Sequence, residues 1–208
     1  ESDNINMGFL FKTFSKKVKW RLGSNIFYRI TKNMIRLAPR GIESQYVNEI
    51  NVNTTGVELE SNVQIKRWSA GFNATFQNLI NQNRYVGGFE SPLYKDRVPN
   101  IPYFFLNANL TYSRKNIFKK EDKLCVSVDC RNVEQYYLFW PSQGDPNGKY
   151  IIPRQFAMNL ETVYSLKEGR YNISLVCQNV TNTRLYDNFR VQKAGRAIYF
   201  KIRYFFNK

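Results

Sequence analysis

The sequence predicts an all-β protein: an antiparallel up-and-down transmembrane β-barrel, present as an incomplete segment of about nine strands. Three observations carry this. Apolar residues recur with period two along nine stretches of the chain. Amphipathic helical periodicity is nearly absent. The connections alternate between short basic turns and longer loops, most of them rich in Gly, Pro and aromatics.

The stretches follow in order. Ile5, Met7, Phe9 and Phe11 alternate with Asn6, Gly8 and Leu10. Trp20, Leu22, Ser24, Ile26 and Tyr28 alternate with Arg21, Gly23, Asn25 and Phe27. Val57, Leu59, Ser61, Val63 and Ile65 form the third apolar row, with Glu58, Glu60, Asn62 and Gln64 opposite. Ala70, Phe72, Ala74 and Phe76 form the fourth. Phe104, Leu106, Ala108, Leu110 and Tyr112 form the fifth, and Leu124, Val126, Val128 and Cys130 the sixth. Phe156, Met158, Leu160, Thr162 and Tyr164 make the seventh; Tyr171, Ile173, Leu175 and Cys177 the eighth. The last row is Ile198, Phe200, Ile202, Tyr204 and Phe206, backed by Tyr199, Lys201 and Arg203.

Between them, "FSKK", "KRW", "RKNIFKKED" and "LKEG" are short to moderate and basic. "NMIRLAPRGIESQY", "NRYVGGFESPLYKDRVPN", "FWPSQGDPNGKYI" and "YDNFRVQKAG" are longer and read as loops. Outer-membrane barrels show this asymmetry, with short turns at one end and long loops at the other. Nine strands, each with a continuous apolar face, need an equally large second layer to cover them. The chain has no spare helices or strands for that, whereas lipid supplies such a layer. Aromatics near strand ends (Trp20, Trp68, Tyr103, Tyr112, Tyr164, Tyr171, Tyr204) fit interfacial girdles. An odd strand count does not close antiparallel, and unpaired edges are not tolerated in lipid. The expectation is therefore a piece of a larger barrel.

Composition narrows the function. At 208 residues with 16% aromatics the chain is rich enough in hydrophobes to exclude disorder. No apolar run is long enough for a transmembrane helix. No signal peptide is visible at Glu1-Ser2-Asp3-Asn4. The net charge is +15, but the cations are spread over turns and gather on no single face, so no nucleic-acid partner is expected. There is no His, which removes Ser-His-Asp and Cys-His catalysis and the usual zinc sites. Cys125, Cys130 and Cys177 have no metal-ligand spacing, and the first two fall on opposite faces of one strand. No catalytic residue, metal site or cofactor is expected.

Three stretches resemble the C-terminal barrel region of TonB-dependent outer-membrane receptors. They are "NVNTTGVELE" (51–60), "DRVPNIPYFFLNANLTY" (96–112) and "GRYNISLVCQNVTNTRLYDNFRVQKAGRAIYFKIRYFF" (169–206). The family commonly ends on an aromatic residue; here Phe206 is followed by Asn207 and Lys208. The resemblance implies that residues 1–208 are the last nine strands of a barrel of about 22. The N-terminal plug and the earlier strands of the same protein would be missing partners. It implies an outer-membrane location in a Gram-negative bacterium, contact with outer-membrane lipid and lipopolysaccharide, and energy from the inner-membrane TonB complex. The cargo would be a scarce large ligand: an iron–siderophore, a cobalamin or an oligosaccharide. The alternative reading is a soluble or secreted β-sheet module whose apolar face packs on a partner chain.

Candidate ligand contacts lie in the long loops. Arg84, Arg97 and Arg154, with Lys95 and Lys149, suit an anionic siderophore or lipopolysaccharide phosphates. Tyr85 and the "YYLFW" cluster, through Tyr136, Tyr137 and Trp140, can stack a ligand or pack the loops. Glu58 and Glu60, two apart on one face, have the spacing of an acid/base pair, but ion pairing with Arg21, Arg29, Lys201 or Arg203 is the stronger reading. "QGDPNGK" (143–149) is only loosely like a calcium loop and reads as a turn.

Overall fold

The computed structural model describes residues 1–40, 43–143 and 150–206. Its strands are β1 (Ser2–Phe14), β2 (Val18–Arg40), β3 (Glu43–Ile65), β4 (Trp68–Asn81), β5 (Tyr85–Val86), β6 (Phe89–Glu90), β7 (Phe104–Lys115), β8 (Lys123–Val133), β9 (Tyr136–Tyr137), β10 (Ile151–Ile152), β11 (Gln155–Leu166), β12 (Tyr171–Gln178) and β13 (Ala197–Tyr204). Nine of them form one antiparallel sheet in the order β1-β2-β3-β4-β7-β8-β11-β12-β13. Each sheet strand therefore pairs with its neighbour in sequence, which is the up-and-down arrangement that the alternating turns predict. The sheet is open, with β1 and β13 at its edges.

The register aligns the apolar rows. Ile26 faces Met7 on one side and Val57 on the other, and Val57 faces Phe76, which faces Phe104. Leu110 faces Val128, Val128 faces Leu160, Leu160 faces Cys177, and Cys177 faces Ile198. Residues directly opposite in a sheet share a face. The nine separate rows are thus one apolar surface, and it is uncovered: Met7 is 74% and Ile202 70% exposed. On the other face Arg21 lies opposite Asn62, Asn62 opposite Gly71, Gly71 opposite Asn109, and Asn109 opposite Asp129. That face is polar along its length.

Aromatic pairs line the outward face at the short-turn end. Phe11 and Trp20 are 5.5 Å apart, Trp68 and Tyr112 4.8 Å, and Tyr171 and Tyr204 4.9 Å. Trp20 Nε1 donates to Ser61 Oγ at 2.9 Å. At the loop end Phe76 stacks on Phe104 at 4.3 Å. From Phe104 to Tyr112 is about 27 Å of strand. At a tilt of about 40° this gives a band roughly 21 Å tall, close to the apolar band of outer-membrane barrels. Of the aromatics expected in a girdle, only Tyr103 lies at the loop end, just before β7.

One expectation is corrected. Residues 33–46 read as a loop, yet β2 and β3 run through that stretch as a paired ribbon up to Arg40 opposite Glu43. The β1–β2 ladder reaches Ser2 opposite Thr31, and the Lys32 N–H donates to the Glu1 carbonyl at 2.9 Å. Pro39 stands opposite Ser44 in the ribbon; a strand Pro is tolerated where its missing N–H breaks no ladder bond. A bulge at Asn33 (φ 53°), whose N–H donates to Asn51 Oδ1 at 3.1 Å, marks where the ribbon leaves the sheet.

Candidate functional site

The long loops fold back over the polar face. After β4, Val98 N–H donates to the Leu79 carbonyl at 2.9 Å, and Asn81 N–H to the Asp96 carbonyl at 2.9 Å. Asn81 is buried, donating through Nδ2 to the Leu93 carbonyl at 2.9 Å. This return places Val98, Leu93 and Ile101 against Ile50 and Val52 of β3, Met34 of β2 and Leu79 of β4. Trp140 completes that core. A 3-10 turn at Pro141–Gln143 anchors it, with Ser142 N–H donating to Asp96 Oδ2 at 3.0 Å and its hydroxyl to the Pro92 carbonyl at 3.0 Å. Trp140 is therefore loop packing rather than an open stacking surface.

β9 and β10 pair as Tyr136–Ile152 and Tyr137–Ile151, with Ile152 fully buried. The Asn100 N–H donates to the Tyr137 carbonyl at 2.7 Å, tying this hairpin to the 82–103 segment. Between the two lies a cleft of about 330 Å³ lined by Arg97, Tyr103, Gln135, Tyr136 and Tyr137, with Val98, Ile101 and Ile151 as its apolar part. The Arg97 guanidinium lies over the Tyr103 ring at 4.9 Å. Tyr136 also lines a second cleft of about 370 Å³, shared with Asn107, Arg131, Gln155, Tyr186 and Lys193. Its hydroxyl donates to Asn188 Oδ1 at 3.3 Å. Burial pushes the Tyr136 phenol up, the Asp187 carboxylate adds to this and Arg131 opposes it. The phenol therefore stays protonated and remains a donor.

Three of the sequence-level candidates, Arg97, Tyr136 and Tyr137, thus meet at one cleft. The others do not line it. Arg84 and Tyr85 sit on the β5–β6 hairpin, the guanidinium 5.5 Å over the Tyr85 ring and 3.4 Å from Glu90. Arg154 Nε donates to Asn132 Oδ1 at 2.8 Å and lies 3.8 Å from Glu134. The loosely calcium-like stretch, and Lys149 with it, lies outside the described residues over 144–149. Glu60 pairs with Arg21 at 2.8 Å, and Glu58 Oε2 accepts from Asn25 Nδ2 at 3.2 Å. The ion-pair reading thus holds for Glu60, while Glu58 is met by a neutral amide instead. Among the described residues there is no group of acids and cysteines arranged to hold a metal, and Cys125, Cys130 and Cys177 are free thiols. Sequence reasoning missed Ile101, Gln135, Ile151 and the second cleft. Isolated aliphatics inside long polar loops were the available signal, since they need a loop core to cover them.

The sequence matches no protein-family model and no curated protein. Its fold has clear counterparts among solved structures. It is similar to the ferric yersiniabactin uptake receptor FyuA from Yersinia pestis at 18% identity and TM-score 0.64, over 96% of this chain and 28% of that one. It is similar to the FrpB iron transporter from Neisseria meningitidis at 14% identity and TM-score 0.68, over 98% and 31%. It is similar to BauA, the ferric preacinetobactin receptor from Acinetobacter baumannii, at 13% identity and TM-score 0.66, over 98% and 29%. The chain thus spans under a third of the length of these structures. By its fold, the nine-stranded open sheet resembles the barrel part of TonB-dependent receptors.

Proposed function

We propose that residues 1–208 are the C-terminal portion of the barrel of an outer-membrane active transporter, which takes up a scarce large ligand with TonB-coupled energy. In this reading the remaining strands and an N-terminal plug complete the protein, and the plug contacts the TonB complex. One observation carries the reading. Nine strands share a register that collects every apolar row on one uncovered face, bounded by aromatics, while loops close over the polar face. A soluble module would leave that face in water or need a partner as large as itself.

The cleft at Arg97 supports an anionic cargo with a flat or aromatic part, as in an iron–siderophore. Arg97 supplies charge, Tyr103 and Tyr137 supply rings and hydroxyls, and Val98, Ile101 and Ile151 supply apolar contact. The test is tryptophan-fluorescence titration of the whole protein with a panel of ferric siderophores, cobalamin and oligosaccharides. A saturable signal with one anionic chelate, weakened at least about tenfold in Arg97→Ala, supports the reading. Binding only of neutral sugars, unchanged in Arg97→Ala, overturns the cargo class. Uptake in cells that persists after the proton-motive force is collapsed overturns the TonB-coupled mechanism.

A further inference from the structure

The short-turn end of the sheet holds a built feature that transport does not use. In the turn between β7 and β8, Asp122 is 1% exposed. Its Oδ1 accepts the Ile117 N–H at 2.7 Å, and its Oδ2 accepts the N–H groups of Phe118 and Lys119 at 2.9 Å each. The Tyr164 hydroxyl donates to the same Oδ2 at 2.7 Å. Asn116 Oδ1 accepts the Glu121 N–H at 2.9 Å. These bonds hold the turn in one shape.

That shape turns the loop toward the outward face. Phe118 is 77% exposed, and its ring meets Tyr164 edge-on at 5.9 Å. Tyr164 lies in the outward apolar row, opposite Leu124 and Ile173. Phe118 therefore extends the apolar surface past the strand ends, and Lys119 and Lys120 follow it, both exposed. Glu121 is the exposed carboxylate of the same turn. The neighbouring β3–β4 turn repeats the positive sign with Lys66 and Arg67, while the β11–β12 turn on the other side sets Lys167 beside Glu168. Among the described residues neither Lys66 nor Arg67 has a carboxylate within salt-bridge distance. Aromatic girdles sit at headgroup level, so cations just beyond one lie at the depth of lipid phosphates.

We propose that this end of the sheet is a binding surface for anionic glycerophospholipid headgroups. Phe118 inserts at the boundary of acyl chains and headgroups, and Lys119, Lys120, Lys66 and Arg67 meet the phosphates. The proposal rests on the membrane-spanning reading above. Phospholipid is the source, rather than lipid A, because the short turns of such barrels face the periplasm, where the leaflet is phospholipid.

The test is native mass spectrometry of the whole protein, purified in detergent and titrated with phosphatidylglycerol, phosphatidylcholine or lipid A. The expected result is tighter binding of phosphatidylglycerol than of phosphatidylcholine. Lys119→Gln/Lys120→Gln weakens it by roughly tenfold, and Lys119→Arg/Lys120→Arg restores it. Lys66→Gln/Arg67→Gln weakens it too, which keeps the test open should the first pair fail to fold. Lys201→Gln, on the polar face of β13 opposite Ser174, leaves it unchanged. Equal affinity for both phospholipids, an unchanged affinity in both glutamine pairs, or a stronger preference for lipid A lost in the same variants overturns the proposal. A protein that purifies without detergent overturns the membrane reading itself, a distinguishable outcome.

Discussion

Leu160→Lys puts a charge at the middle of the apolar band. Leu160 lies on the outward face between Val128 and Cys177 and is 38% exposed. It stands four residues from Tyr164 in the short-turn girdle and four from Phe156 toward the loops. At about 3.3 Å per residue and a tilt near 40°, that is about 10 Å from each border. A lysine near the midplane of such a barrel costs about 2–4 kcal/mol. That lowers the folded-to-unfolded ratio by roughly thirtyfold to a thousandfold. The control is Ser127→Lys, on the polar face opposite Glu161, where the new ammonium meets a carboxylate. Its expected effect is within about 0.5 kcal/mol. The assay is guanidinium unfolding of the whole protein in phospholipid vesicles, followed by the heat-modifiable shift on gels. A silent Leu160→Lys, or an equally costly Ser127→Lys, refutes the assignment of the two faces.

Three further outcomes follow from the packing. Gly56→Ala places a Cβ 2.2 Å from Phe27 Cζ and 2.6 Å from the Phe76 carbonyl oxygen, so it destabilises by about 1–3 kcal/mol in the same assay. Phe27→Leu relieves only part of this, because the carbonyl is backbone and stays. For Asp122, burial acts to raise the pKa, but the Tyr164 hydroxyl and three backbone amides outweigh it and hold the carboxyl at about 2, below its ordinary 3.8. A depressed folded pKa means the stabilisation is present above pH 4 and is lost as pH falls toward 2. Trypsin-type cleavage after Lys119 and Lys120 should stay slow at neutral pH and become fast in Asp122→Ala. Cleavage as slow in Asp122→Ala as in the unmodified protein would show that the clamp does not fix the turn. Trp140→Ala empties the loop core at a cost of about 3–5 kcal/mol, seen as faster amide exchange over 82–103 with the sheet strands unchanged.

Much of the sheet was legible because period two is a strong local signal and the turns punctuate it. Rows such as Ile198, Phe200 and Ile202 need no tertiary information to be placed on one face. The ribbon over 33–40 and 43–46 was not legible, since the sequence there carries Pro39 and Gly41, residues that ordinarily mark loops. Pairing there is local, with Leu37 opposite Tyr46 and Arg40 opposite Glu43, so residue type rather than sequence distance hid it. The site was half legible. Residue type pointed to Arg97, Tyr136 and Tyr137, but their meeting depends on how the 82–103 segment returns along β4. Trp140 shows the limit: a large aromatic in a loop serves stacking or packing equally well in sequence, and only burial decides.

The most direct measurement is a spin-label scan of β13 in the whole protein in bilayers, with the native thiols Cys125, Cys130 and Cys177 replaced by Ala and one new cysteine at a time from 198 to 203. Collision with oxygen, which concentrates in lipid, should peak at 198, 200 and 202 and fall at 199, 201 and 203. Uniformly high collision with a water-soluble nickel chelate along the strand would contradict the claim that this sheet faces lipid with its apolar rows.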